Sequence, residues 1–132
     1  MSDQFLHDYS AFVSGTSARN YYHLPNLVDE DILHAILGIA TEAGELPDPV
    51  KKAFAYGRDV DFVNLDEEIG DVLWYIQLYC NVRGLTIRDL INSNVAKLSK
   101  RYENGRFTAE QAINRNLDAE RAALEGKTDE QD

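Results

Sequence analysis

Glu42 and Glu45 stand three residues apart, and so do Glu68 and Asp71. Each pair lies in a segment whose apolar residues recur with a helical period. Residues at i and i+3 project from one face of an α-helix, so each pair forms a two-carboxylate claw. Two claws on packed helices would place four carboxylates around one small volume. Like charges that close cannot all stay ionised without cations between them, and Mg²⁺ prefers carboxylate oxygen. The chemistry this spacing points to is divalent-cation binding on a helical bundle. Either pair alone also fits a solvated acidic face, the ordinary place for carboxylates.

Three glycines sharpen the pattern: Gly38 one turn before Glu42, Gly44 inside the first claw and Gly70 inside the second. Glycine within a helix costs about 1 kcal/mol against alanine, so these positions predict the close approach of another group. Downstream, Asn94, Lys97 and Arg101 follow at i, i+3 and i+7. Asn94 falls between Ile91 and Leu98 in an apolar stripe, which predicts that its amide faces the bundle interior. Lys97 offers a mobile point charge and Arg101 a planar fork, both suited to phosphate oxygens. The competing reading is an exposed basic stripe favoured by the helix C-terminus.

The elements that must position these residues read as helices throughout. The first carries Phe5, Leu6, Tyr9, Phe12 and Val13 and ends at Ser14 to Ser17, before a loop from Arg19 to Pro25. The second starts near Asp29 to Asp31, runs through Ile32, Leu33, Ile36, Leu37, Ile39 and Ala40 to Glu45, and is stopped by Pro47 and Pro49. A short helix from a cap at Asp48 to Tyr56 closes at Gly57. Asn64 or Asp66 caps the fourth, in which Ile69, Val72, Leu73, Ile76 and Cys80 form an unbroken apolar stripe before Gly84. Thr86 opens the fifth, which Asn104-Gly105 breaks, and Thr108 to Gln111 has the spacing of a capping box for a last helix reaching about Leu124. The expected fold is an all-α bundle of five to six helices.

A chain of 132 residues suits one domain, taken as 1–124, with 125–132 as an acidic, disordered tail. The net charge of −10 argues against a nucleic-acid polymer or an anionic membrane as partner. Bound metal ions can still reverse the local sign for a small polyanion. No apolar run has the length of a membrane span and Met1-Ser-Asp-Gln lacks a signal-peptide pattern, so a cytoplasmic location is expected. The lone Cys80, among Ile76, Tyr79 and Val82, excludes an internal disulfide and reads as a buried thiol. His7 and His34 have no partner at zinc-site spacing and read as structural or exposed.

The words around the acids carry a resemblance. Gly38-Ile-Ala-Thr-Glu-Ala-Gly-Glu-Leu46, Glu67-Glu-Ile-Gly-Asp-Val-Leu-Trp-Tyr75 and Asn94-Val-Ala-Lys-Leu-Ser-Lys-Arg-Tyr102 together resemble the Glu-x-x-Glu and Glu-x-x-Asp signature of MazG-like all-α nucleoside triphosphate pyrophosphohydrolases. The stretch Arg106-Phe-Thr to Asn114-Arg-Asn116 is similar to phage-type and stand-alone bacterial members, and the likeness spans about Ile32 to Asn116.

The resemblance implies a dimerising MazG-like fold, a homodimer or homotetramer, with an active site between helices to which a neighbouring subunit can contribute. It implies that Glu42, Glu45, Glu68 and Asp71 are the catalytic acids and hold Mg²⁺, with Mn²⁺ as a substitute. Asn94, Lys97, Arg101 and Tyr102 would hold the triphosphate, with Lys51 and Lys52 as further substrate-binding candidates. The implied reaction splits a nucleoside triphosphate into monophosphate and pyrophosphate through metal-activated water at the α-phosphorus, in the service of nucleotide-pool clearance. Such phosphoryl chemistry is mostly positioning and charge neutralisation, and two cations about 3.5–4 Å apart can supply it. One of the four acids can act as base instead of ligand.

Tyr21, Tyr22 and His23 are candidates for a nucleobase pocket, against the plainer reading of a packed loop. Trp74 is weighed in the same way, as a substrate contact or as packing between helices or subunits. Alternatives for the activity are dUTPase-like or phosphoribosyl-ATP pyrophosphohydrolase chemistry. A different class of alternative is a non-catalytic helical interaction or nucleotide-sensing module.

Overall fold

The computed structural model describes residues 3–18, 20–26 and 28–126, excepting the side chains of Asp3, Phe5, Leu6, His7 and Pro25. The readings made on Phe5, Leu6 and His7, and that of a disordered tail over 127–132, lie outside the described residues. Those residues form seven α-helices and one 3-10 turn, without a strand, as an all-α reading requires. They group into two compact units, 1–30 and 31–132. The first unit holds α1, Asp3–Thr16, and the 3-10 turn Leu24–Asn26. Within it Tyr9, Phe12, Tyr21 and Tyr22 are exposed, so Tyr21 and Tyr22 do not pack as loop tyrosines covering a core.

The second unit begins with α2, Glu30–Glu45, and α3, Pro47–Tyr56. Pro47 takes the first helical position, where a missing N–H costs nothing. Asp48 is therefore not the cap expected of it, since the helix starts one residue earlier and Leu46 occupies the cap position without a side-chain hydrogen bond. Gly57 ends the helix at φ 64°, a left-handed conformation natural to glycine.

Helix α4, Phe62–Arg83, starts earlier than Asn64 or Asp66 would have it. Asp61 is the cap, its carboxylate accepting the Asn64 N–H at 3.1 Å. Gly84, at φ 63°, closes α4 as the sequence predicts. Thr86 then opens α5, Ile87–Arg101, through a full capping box in which Thr86 and Asp89 satisfy each other's backbone N–H. The single last helix of the sequence reading is two: α6, Ala109–Ile113, and α7, Leu117–Leu124. Asn116 splits them by accepting the Ala119 N–H at 3.0 Å and so starting a second helix.

Side-chain contacts set the packing. His34 and Gly38 of α2 meet Tyr75 of α4, and one turn further along α2 Glu42 meets Asp71 and Glu68. Rising numbers on one helix face falling numbers on the other, so α2 and α4 run antiparallel. Within the same unit α7 packs on α5, fastened by Glu120 and Arg101. Ala35 and Cys80 are wholly buried. The α4 stripe is not covered along its length within one chain: Cys80 is enclosed, while Ile69 and Leu73 stay about half exposed. Ile36, Leu37, Ile91 and Val95 are exposed to a similar degree.

Candidate functional site

Oxygens of Glu42, Glu68 and Asp71 lie within 4.8 Å of one another, brought together from α2 and α4. The antiparallel crossing that does this depends on Gly38. A Cβ at that position would meet the Tyr75 ring at 2.2–2.5 Å, so only glycine lets the ring lie against α2. The other two glycines differ from expectation. Among the described residues Gly44 and Gly70 have nothing within 4 Å of where a Cβ would stand, so neither marks a close approach there.

The three acids are not alike. Glu68 is buried, and its Oε1 accepts a 2.9 Å hydrogen bond from Asn64 Nδ2 one turn earlier on α4. Glu42 is half-buried, and Asp71 is exposed at the mouth. Loss of hydration, then repulsion from Glu45, Asp71 and Glu68, raises the Glu42 carboxyl above its ordinary value, against a hydrogen bond with Thr41. Clustered acids with this mutual repulsion are a donor set suited to a hard divalent cation.

Glu45, the fourth expected acid, stands outside the triplet. It lines a cavity of about 610 Å³ on one side of the acids, together with Glu68, Asn64, Lys51 and Lys52. Asp48 holds both lysines there, with Lys51 Nζ at 3.7 Å and Lys52 Nζ at 2.5 Å. The hydrogen bond from Lys52 is the main cause that keeps the Asp48 carboxyl below its usual range. Glu42 and Asp71 line a second cavity of about 330 Å³ with Trp74 and Tyr75. Trp74 stands edge-on to Tyr75, with ring centroids 5.0 Å apart, and is more than half exposed. His34 is exposed and also edges Tyr75, at 5.5 Å.

The residues assigned to phosphate from α5 occupy other surroundings. Asn94 is exposed instead of facing an interior, because the stripe between Ile91 and Val95 is itself open in one chain. Lys97 is half-buried. None of Asn94, Lys97, Arg101 and Tyr102 lines either cavity beside the acids. Arg101 donates through Nε and Nη2 to Glu120 at 2.9 and 2.8 Å, and its guanidinium lies 5.8 Å from the Tyr102 ring centroid. Arg115 adds a second fork to the same carboxylate, at 3.2 and 2.5 Å. Glu120 is buried, and its two arginines, Arg101 first, hold the carboxyl well below the usual range.

Sequence reasoning passed over Asn64, Tyr75 and Glu120. The signal for Glu120 was present: an acid among Ala112, Ala119, Ala122 and Ala123, where a packed face needs small residues and a charge needs a partner. For Asn64 the signal was an amide one turn before Glu68, read there only as a cap.

Comparison with known proteins places the chain by its sequence. Gene 37 protein of Mycobacterium phage L5 is 31% identical over 83 residues, which span 58% of this chain and 70% of that protein. No solved structure is matched. The family model described as the MazG nucleotide pyrophosphohydrolase domain matches residues 31–107, starting where the second compact unit starts and enclosing all four acids. With more than half of its residues under that match, the chain belongs to the MazG nucleotide pyrophosphohydrolase domain family.

Proposed function

We propose that this protein hydrolyses nucleoside triphosphates to the monophosphate and pyrophosphate, using Mg²⁺, or Mn²⁺ in its place, held by Glu42, Glu68 and Asp71. The observation that carries this reading is the meeting of three carboxylates from two antiparallel helices within 4.8 Å. An octahedral Mg²⁺ with bonds of about 2.0–2.1 Å keeps its oxygens about 3 Å apart when adjacent and about 4.2 Å when opposite. The 4.8 Å limit on the triplet's oxygens lies close to that range, so these three residues would hold such a cation. A bound divalent cation supplies charge neutralisation at the phosphate oxygens and a more acidic water.

The chain's own groups do the rest. Glu45, beside the triplet but outside it, takes the proton of the attacking water. The water oxygen bonds to the α-phosphorus, the bond from the α-phosphorus to the α,β-bridging oxygen breaks, and pyrophosphate leaves with that oxygen. Lys51 and Lys52 neutralise the pyrophosphate end in the larger cavity. Trp74 and Tyr75, which line the smaller cavity with Glu42 and Asp71, offer aromatic faces to a base.

The half-exposed stripes on α4 and α5 are covered by a second copy in a homodimer or homotetramer. Asn94, Lys97, Arg101 and Tyr102 then act on the triphosphate from the neighbouring subunit. Clearance of unwanted triphosphates from the nucleotide pool is the role we assign, away from membranes and nucleic-acid polymers. No helix among the described residues is long and apolar enough to cross a membrane.

A panel of NTPs, dNTPs, modified nucleotides and phosphoribosyl-ATP, assayed for pyrophosphate with and without Mg²⁺, tests the reading. Activity on dUTP alone, or on phosphoribosyl-ATP alone, would redirect it within the superfamily. Nucleotide binding without pyrophosphate would make the protein a sensor, and no response to either nucleotide or Mg²⁺ an interaction module. Turnover retained in both Glu42→Gln and Asp71→Asn overturns it.

A further inference from the structure

Asn64 is the third residue of α4, counted from its Asp61 cap. In a capping box the side chain at this position reaches back to the cap. Here the Asn64 amide turns forward instead and donates to Glu68 Oε1 at 2.9 Å. Its own backbone N–H is tied to Asp61 at 3.1 Å, so the amide starts from a fixed point on the first helical turn. The NH₂ group must face Glu68, because a carboxylate has no proton to give and the amide oxygen would be repelled. Glu68 is the one buried acid of the triplet, so its carboxylate cannot rely on water to hold it in place. A bond to one oxygen sets the plane of the carboxylate and leaves the other oxygen for a ligand. A neutral donor does this without the positive charge of a lysine, which would compete with a cation, or the negative charge of an aspartate, which would add repulsion.

We propose that Asn64 is the positioning residue that orients Glu68 in the acid triplet and thereby sets how tightly that triplet holds a divalent cation. This rests on the cation-site reading above. Partners that orient metal ligands in this way typically contribute about 10–100-fold in metal affinity.

The test is Mn²⁺ binding to the full chain, followed by loss of the free-ion electron paramagnetic resonance signal, with the melting temperature of the metal-free protein measured alongside. Asn64→Ala should weaken Mn²⁺ binding by about tenfold or more and, by taking the donor from a buried carboxylate, lower the metal-free melting temperature by a few degrees without unfolding the chain. Asn64→Gln, whose amide can still reach a carboxylate one turn on, should restore most of the affinity. In the activity assay, Asn64→Ala should raise the half-saturating Mg²⁺ concentration by the same factor and keep kcat at saturating Mg²⁺.

Wild-type protein that binds Mn²⁺ beside an Asn64→Ala variant binding within twofold of it overturns this inference alone. Wild-type protein that binds no cation overturns the site reading and this inference together. Should Asn64→Ala fail to fold, the near-isosteric Asn64→Leu is read by the same criteria.

Discussion

The ring of Tyr75 occupies the space that any side chain at residue 38 would need, with its Cε1 atom 2.2 Å from where a Cβ on Gly38 would stand. One turn away along both helices lie Glu42 and Asp71. The glycine-to-tyrosine contact therefore sets the separation at which the acids meet, although neither residue carries a carboxylate.

Gly38→Ala should separate what that contact joins. Forcing a methyl group against a packed ring costs about 1–3 kcal/mol, only partly offset by the helix propensity of alanine. We expect a melting temperature lower by several degrees and pyrophosphate release reduced at least tenfold. Gly44→Ala meets open space. It should stabilise α2 by up to about 1 kcal/mol, as a thermal melt would read.

Glu42 ties the site to pH. Its carboxyl is raised in the folded protein, chiefly by lost hydration and then by its acidic neighbours. The folded state therefore holds this proton more tightly than the unfolded chain does. Without metal, the associated stability is present below the ordinary carboxylate pKa and is lost as pH rises through the raised value. Mg²⁺ competes with that proton. Its stabilising shift in melting temperature should be several degrees at pH 8 and close to nothing at pH 4.5, measured by differential scanning fluorimetry.

Glu120 works in the opposite sense. Arg101 and Arg115 depress its carboxyl, so its contribution is present above the ordinary carboxylate pKa and is lost as pH falls toward the lowered value. Glu120→Gln keeps the shape but leaves two arginine forks without their charge. We expect a melting temperature lower by roughly ten degrees at pH 7 and a shallower decline between pH 5 and 3.

A site shared between subunits predicts complementation. Asp71→Asn and Lys97→Ala proteins, each with activity reduced about a hundredfold or more, are unfolded together and refolded. Random pairing makes half of the dimers mixed, and each mixed dimer holds one intact site, so about a quarter of wild-type activity should return. No recovery would place Lys97 and Asp71 in the same protomer's site.

Much of this was legible in the sequence wherever the physics is local. Gly57 and Gly84 end helices through backbone conformations glycine favours, and Thr86 opens α5 with a box closed by Asp89 three positions on, a partner the reading of Thr86 did not name. The two acidic pairs announced themselves by spacing. What stayed hidden depends on side-chain direction or on distance along the chain. Asn64 could cap its helix or serve Glu68, and only its rotamer decides. Glu45 shares a helix face with Glu42, yet it stands outside the triplet and lines the neighbouring cavity. The bond from Arg101 to Glu120 joins residues 19 apart, which no periodicity in α5 reveals. Asn94 reads as interior from its stripe, but that stripe faces out from a single chain.

Cys80 is the one thiol in the chain and has no accessible surface. Alkylation by a maleimide therefore has to wait for the C-terminal half of α4 to come open, and its rate becomes a clock for that excursion. The unaltered protein thus carries its own reporter, against which every cation and nucleotide can be ranked by how far it slows the labelling.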